Sequence, residues 1–402
     1  MMSNRYPTII CHGLAGWGEN DKLNTHIPHF GLYPSKGIPK HLREAGFEVY
    51  QPSLGPVSSA WDRSCELWAQ LFGGTVDYGK VHSEKYGHAR YGRTYEKGLI
   101  PDWGTPGDHA KINVLGHSFG GPTVKQFADL VANGCQEEID GTPEEELSGL
   151  FKKDKPQKLH GVGTLSGVNN GTTLASLMGH IGMTFATYYF LVANAIFSQT
   201  RVMQYYDFHT DHWGIMQDPA TVTEHKFTNP WKKRACFAAY NRNRVDSCAY
   251  EMQVETVQDL VNPEQKINPN TYYFAYRADR THENEKGKRI PNKSMCALCK
   301  IAGIFTGNFL KEKKLSKYGV NKSWQANDGF VNVIGQSAPL NQPYTDFVRD
   351  TEVKPGIWYN MPVEDKDHLS WIGLGESKEK FFSDYETMLN RFAQLPDAET
   401  LM

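Results

Sequence analysis

The residues best suited to chemistry in this chain are Gly116-His117-Ser118-Phe119-Gly120, set between the apolar run Ile112-Asn113-Val114-Leu115 and an amphipathic segment at 122–133. That order predicts a strand, a tight turn and a helix. Glycines two before and two after a serine let the turn close until the hydroxyl stands clear of the sheet edge, where the positive end of the next helix points. Ser118 is therefore the expected nucleophile, able to attack a carbonyl carbon once a neighbouring base takes its proton. The attacked carbonyl gathers negative charge on its oxygen, and backbone amides can hold it. One such amide should be that of Phe119. The other is expected from the glycine-rich loop His12-Gly13-Leu14-Ala15-Gly16-Trp17-Gly18, which follows the apolar run Thr8-Ile9-Ile10-Cys11, and it falls on Leu14.

A serine on such a turn is served by partners later in the chain, acid first and histidine last, each on a loop leaving a strand. After Asp328 the sequence holds a single histidine, His368, in Asp365-Lys366-Asp367-His368-Leu369. His368 is the expected base. His282 lies in a lysine-rich polar loop that would put the acid before Arg277. The acid is less forced, since Asp346, Asp350, Asp365 and Asp367 also precede His368. Asp328 has the best setting, in the turn Asn327-Asp328-Gly329 with a strand expected at 330–333 to hold the carboxylate against the imidazole.

The elements that must position these residues follow a βαβ rhythm. A helix is expected at 39–45, with strands at 47–50, 160–165, 271–276 and 357–359 and a closing helix at 379–392. This implies an α/β fold built on a mostly parallel sheet with helices on both faces. Residues 1–402 read as a single domain with insertions. Residues 56–95 break the rhythm and look inserted, 134–158 reads as a charged surface excursion, and 277–293 reads as a polar loop. Residues 172–200 carry no formal charge. Thr184, Thr187 and Asn194 interrupt that stretch too often for a membrane span, so a buried helix or a mobile apolar flap over the site, within 172–214, is expected.

Composition narrows the classes. With 43 basic and 45 acidic residues the net charge is −2. No basic block is interleaved with aromatics, so a nucleic-acid partner is not expected, and no stable protein partner is inferred. Residues 1–7 lack the apolar core of a secretory leader, which reads either as a mature form or as a protein that stays inside. The seven cysteines, Cys11, Cys65, Cys135, Cys236, Cys248, Cys296 and Cys299, are too scattered for a disulfide framework. Cys296-Ala-Leu-Cys299 has redox or zinc spacing without a second pair to complete a four-cysteine site.

Several further motifs carry a resemblance: Trp61-Asp62-Arg63, Gly73-Gly74-Thr75-Val76-Asp77-Tyr78-Gly79, Gly87-His88-Ala89-Arg90, Gly92-Arg93-Thr94-Tyr95 and Gly171-Thr172-Thr173-Leu174. Together with His12-Gly13 and Asn327-Asp328-Gly329, they resemble the thermoalkalophilic bacterial lipases of family I.5 and their staphylococcal relatives. The resemblance implies an α/β-hydrolase with a triad of Ser118, Asp328 and His368, a helical lid and an inserted zinc-binding subdomain. It also places the oxyanion amides on Leu14 and Phe119, where the family usually has phenylalanine and glutamine. Its structural zinc ligands map to Asp62, His82, His88 and Asp211, with Asp207, His209 and His212 as alternatives for the fourth. A family calcium site is not supported, because Ser370 and Gly375-Glu376 stand where its ligands would be. Gly167-Val168-Asn169-Asn170 replaces another family motif, which bears on substrate preference. The implied activity is hydrolysis of lipid esters through an acyl-enzyme, with long-chain glycerides favoured and an aliphatic polyester or short-chain ester as the alternative. A catalytically silent or membrane-anchored binding protein is the rival expectation. The family is typically secreted.

Overall fold

Neighbouring residues of a strand point to opposite faces of their sheet. Here both faces are apolar: Ile9, Val114 and Val162 join one buried cluster, while Ile10, Leu115 and Leu165 join the other. Such a sheet must be covered on both sides. The computed structural model describes residues 5–31, 37–197, 200–215, 227, 229, 245–308, 312–349 and 351–401. In chain order the strands are β1 (Thr8–Cys11), β2 (Val49–Tyr50), β3 (Gly74–Asp77), β4 (Tyr91–Tyr95), β5 (Lys111–His117), β6 (Lys158–Leu165), β7 (Tyr272–Ala278), β8 (Thr281–Glu283), β9 (Arg289–Pro291), β10 (Tyr344–Asp346) and β11 (Trp358–Glu364). Seven of them form one sheet in the order β10-β11-β7-β6-β5-β1-β2, with every pair parallel. Helix Gly120–Asn133 covers one face through Val124 and Phe127. Helices Ile38–Glu44 and Lys378–Gln394 cover the other through Leu42, Tyr385 and Phe392.

Two local expectations fail for physical reasons, and one edge strand carries no sequence signal. The segment 330–333 is not a strand, because side chains take its backbone groups: Asp328 Oδ1 accepts from the Phe330 and Val331 amides, Thr172 Oγ1 donates to the Phe330 carbonyl and Gln336 Nε2 to the Val331 carbonyl. The Asn332 amide donates to the carbonyls of Thr306 and Trp324 and accepts from Thr173, and a short helix, Val333–Gln336, follows. The polar run 277–293 contains the antiparallel pair β8–β9, closed by a turn in which Asn284 bonds Lys288 at 2.9 Å. The edge strand β10 has no apolar alternation because all three of its residues are exposed.

The uncharged stretch forms one long helical element, Thr173–Phe197, broken at Gly179, whose φ of 63° and ψ of −177° no helix contains. Ala175, Leu191 and Ala195 pack with Phe119, Trp213 and Val331, whereas Tyr189 is 76% exposed. Among the described residues no helix is long and apolar enough to cross a membrane.

At the end of β5 the chain turns sharply. Ser118 sits at φ 57°, in the left-handed region that a non-glycine residue adopts only under constraint. The turn closes because its flanks are glycine: a Cβ on Gly116 would lie 2.0 Å from the Gly120 carbonyl oxygen, and one on Gly120 would lie 2.4 Å from that of Cys11. Gly120→Ala should therefore destabilise the fold by about 1–3 kcal/mol, measured as a lower urea midpoint. An unchanged midpoint would show that the turn has room to spare.

Candidate active site and metal centre

The loop after β1 lies directly on the turn after β5. A Cβ on Gly13 would sit 2.6 Å from Ser118 Cβ and 3.1 Å from its Oγ. Leu14 follows at the open edge of this contact, 39% exposed, while Phe119 is fully buried at the N-cap of helix Gly120–Asn133. Among the described residues no protein acceptor takes the amide of either Leu14 or Phe119. Two free amides beside a serine hydroxyl are what an oxyanion needs.

Asp328 and His368 meet in the way the expected acid and base require. His368 Nδ1 lies 2.7 Å from Asp328 Oδ2, both residues are buried, and the His368 amide donates to the Asp328 carbonyl at 2.8 Å. Asp328 Oδ1 accepts from the amides of Phe330 and Val331 at 3.0 and 2.8 Å. The carboxylate is thus held by a turn of backbone donors rather than by the expected strand. On the other side, His117 Nε2 lies 3.0 Å from the His368 carbonyl, and the two rings are 4.7 Å apart, which sets His368 against the residue before Ser118. The competing acids stand elsewhere. The side chains of Asp346 and Asp365 are 72% and 75% exposed, Asp367 caps the turn starting at His368, and Asp350 lies outside the described residues. His282 pairs with Asn292 on the β8–β9 ribbon.

Helix Ala60–Phe72, which begins at the Ser59 cap, supplies two buried charges one after the other. Arg63 donates from Nε to Thr123 Oγ1 at 2.8 Å, to the Gly55 carbonyl at 2.6 Å and to the His12 carbonyl. It thereby ties the loop carrying Leu14 to the helix behind Ser118. Asp62, the preceding residue, joins His82, His88 and Asp246 in a group whose ligand atoms all lie within 4.8 Å of one another. The two ribbon strands β3 and β4 and helix Lys80–Tyr86 bring the histidines there. His82 Nε2 is 3.3 Å from Asp62 Oδ1 and from Asp246 Oδ2, and His88 Nε2 is 3.3 Å from Asp246 Oδ2 and 3.9 Å from Asp62 Oδ1.

These spacings and donors fit a metal ion. Ligands about 2.0–2.1 Å from an ion at tetrahedral angles stand roughly 3.3 Å from each other. Asp62 Oδ1, His82 Nε2, His88 Nε2 and Asp246 Oδ2 are also buried without any hydrogen-bond partner, which is costly unless something else satisfies them. The rest of each ligand is held. His88 Nδ1 is 2.9 Å from the Ala89 carbonyl, leaving Nε2 for an ion, and His82 stacks on Trp61 at 4.8 Å. Burial works against a charged imidazole at His82, yet the carboxylates of Asp246 and Asp62 outweigh it and raise its pKa to about 9. Burial also opposes the Asp62 charge, but His212 and His88 hold its pKa well below the usual carboxylate range.

Asp211 is not in this group. Arg93 takes it, with Nε donating to Asp211 Oδ2 at 2.8 Å, and binds Asp207 through the same guanidinium. His209 turns towards Glu66 at 3.7 Å, and His212 reaches only the outer oxygen of Asp62, at 3.2 Å. The fourth corner is Asp246, whose local sequence, Val245-Asp246-Ser247, has no metal spacing to reveal it. Glu138, in the stretch expected to be a solvated excursion, is buried and accepts from the His82 amide at 2.7 Å. Replacing Arg63 with Met would strand the buried carbonyls of His12 and Gly55. It should cost at least about 2 kcal/mol, read from urea unfolding, with Arg63→Lys recovering only part.

Comparison with known proteins gives one family. Residues 4–396 match the family described as Lipase-like, C-terminal domain. The chain is 31% identical over 383 residues to Lipase 1 of Staphylococcus aureus, covering 93% of this chain and 52% of the relative. It is 32% identical to a lipase of Staphylococcus epidermidis, covering 94% of this chain and 51% of that one. The chain thus spans about half the length of the curated relatives it matches. Among solved structures, the Staphylococcus hyicus lipase superposes with a TM-score of 0.79 at 28% identity, covering 96% of both chains. EstA from Clostridium botulinum superposes at 0.78 and 30% identity, covering 98% of this chain and 90% of that one. The seven-stranded parallel sheet with its serine turn and this breadth of match agree: the chain belongs to the lipase-like C-terminal domain family.

Proposed function

We propose that this chain is a serine carboxylester hydrolase acting on lipid esters. The observation that carries the reading is the buried Asp328–His368 pair, packed on His117, together with a serine held at positive φ against the loop of Gly13 and Leu14. Ser118 attacks the ester carbonyl, His368 takes the serine proton and passes it to the leaving alcohol, and Asp328 orients the ring and balances its charge. The amides of Leu14 and Phe119 hold the oxyanion, and water then frees the acyl-enzyme. Ser118→Ala and His368→Ala should each lower kcat by at least about 10³-fold, with the double variant little worse. Asp328→Asn should cost about 10⁴-fold with the fold retained. Additive losses, or an active Asp328→Asn beside an inactive Asp365→Asn, would sink the assignment.

Long-chain glycerides are the favoured substrate, supported by the uncharged helix Thr173–Phe197 with Tyr189 exposed and Phe119 beneath it. In the reading within 172–214, this helix is a lid hinged near Gly179. Tyr189→Ser should lower hydrolysis of an emulsified long-chain ester far more than of a soluble short one. Equal effects on both, or rates peaking at short chains or on an aliphatic polyester, would favour the alternative substrates.

The ion suited to two imidazoles and two carboxylates is zinc, and four protein ligands leave it no open position, so its role is structural: it pins the insertion at 56–95 beside the lid. Metal analysis of the purified chain should find about one zinc per chain, lost on chelation together with melting temperature. Asp246→Asn should lose the ion and Asp211→Asn keep it. Protons compete for His82 and His88, so retention should weaken as pH falls. Metal-free protein indifferent to chelator would overturn the centre and leave the hydrolase reading standing.

A further inference from the structure

The Cys296-Ala-Leu-Cys299 pair lies against the same turn that carries Asp328. Cys296 is the N-cap of helix Ala297–Thr306, where its Sγ accepts from the Cys299 amide at 3.3 Å. Cys299 is fully buried, and a Cβ on Gly329 would lie 2.6 Å from its Cβ, so Cys299 touches the residue next to Asp328. Further along this helix, Thr306 Oγ1 donates to the Gly329 carbonyl at 2.7 Å. The amide of Cys296 donates to Asp367 Oδ2 at 2.9 Å, and Asp367 caps the turn whose first residue is His368. One cysteine therefore braces the acid's loop and the other the base's.

The two sulfurs and an Asp367 oxygen lie within 4.8 Å of one another. A cation is poorly served there. Asp367 Oδ1 already accepts from the amides of Leu369 and Ser370 and from the Ser370 hydroxyl, and the Arg280 guanidinium stands 3.5 Å from Oδ2. Two thiols at a helix N-terminus, one partly exposed and one buried behind it, are instead the arrangement of an exchanging dithiol.

We propose that Cys296 and Cys299 form a redox-reactive site that closes to a disulfide by exchange with a small-molecule disulfide, and that closure slackens the Asp328–His368 pair. The deprotonated Cys296 sulfur attacks one sulfur of the small disulfide and releases its first thiolate. Cys299 then gives up its proton, attacks the Cys296 sulfur of the mixed disulfide and releases the second. Two protein thiols and one small disulfide become one protein disulfide and two small thiols, the electron pair passing to the small molecule. A disulfide needs its sulfurs about 2.05 Å apart with its own dihedral preference, and any shift of Cys299 towards that geometry falls where its Cβ packs on Gly329. The assembled Asp328–His368 pair belongs to the dithiol form, since both cysteines are free in this structure.

The coupling rests on the triad reading, but the exchange does not. The whole chain would be equilibrated with graded ratios of reduced to oxidised glutathione, alkylated and mapped by mass, with kcat and KM followed on a soluble short ester. Expected are loss of two hydrogens from the Cys296–Cys299 segment, reversal by dithiothreitol, and a fall in kcat of about tenfold at constant KM. Cys296→Ser retains a capping hydroxyl. It should match the reduced enzyme's kcat and show no response to oxidised glutathione. Thiols that stay free at every ratio, a stable glutathione adduct on Cys296, a retained soft metal ion, or closure with unchanged kcat would each overturn the proposal. The mass reading is independent of Ser118, so failure of the dithiol and failure of the triad are told apart.

Discussion

A buried guanidinium must find acceptors for its N–H groups, and Arg63 finds three, in Thr123 Oγ1 and the carbonyls of His12 and Gly55. These acceptors belong to the helix behind Ser118, the loop beneath Leu14 and the entry to helix Ala60–Phe72. Three segments far apart in sequence are thereby held in one arrangement. Asp62, one residue earlier, faces the opposite way into the histidine–carboxylate group. The same first turn of one helix therefore secures both the loop of Leu14 and the candidate metal centre.

The register of the parallel sheet does the remaining alignment. Cys11 pairs with Gly116, and Gly116 with Thr164, so β1, β5 and β6 deliver their loops to the same edge. The close glycines at that edge leave no space for a side chain between the loop of Gly13 and Ser118. Asp328 and His368 arrive from later strands of the sheet, their turns joined by the bond from the His368 amide to the Asp328 carbonyl. The geometry around Ser118 thus depends on backbone contacts whose tolerance is a few tenths of an ångström, which cores packed to crystal density sustain.

Much of this was legible in the chain as written. The strand–serine–helix pattern at 112–133 and the βαβ rhythm arise from local periodicity, and the sole histidine after Asp328 narrowed the base to His368. The shared edge of the sheet then follows from the right-handed connections of parallel strands. The strand expected at 330–333 is absent because side chains take the backbone groups of Phe330 and Val331, and one of them, Thr172, lies far away in sequence.

The sequence by itself pointed to most strands of the main sheet and to Ser118, Asp328 and His368 as candidates in that order, while its family resemblance supplied Asp62, His82 and His88 of the histidine–carboxylate group. The tertiary structure alone decided the fourth. Asp207, His209, Asp211 and His212 form an inviting cluster in the sequence, but Arg93 claims two of them and burial against Glu66 a third. Asp246, with no motif around it, closes the group instead. An ion's coordination sphere is assembled from segments that packing brings within a few ångströms of one another, and local spacing carries no information about which distant carboxylate will arrive there.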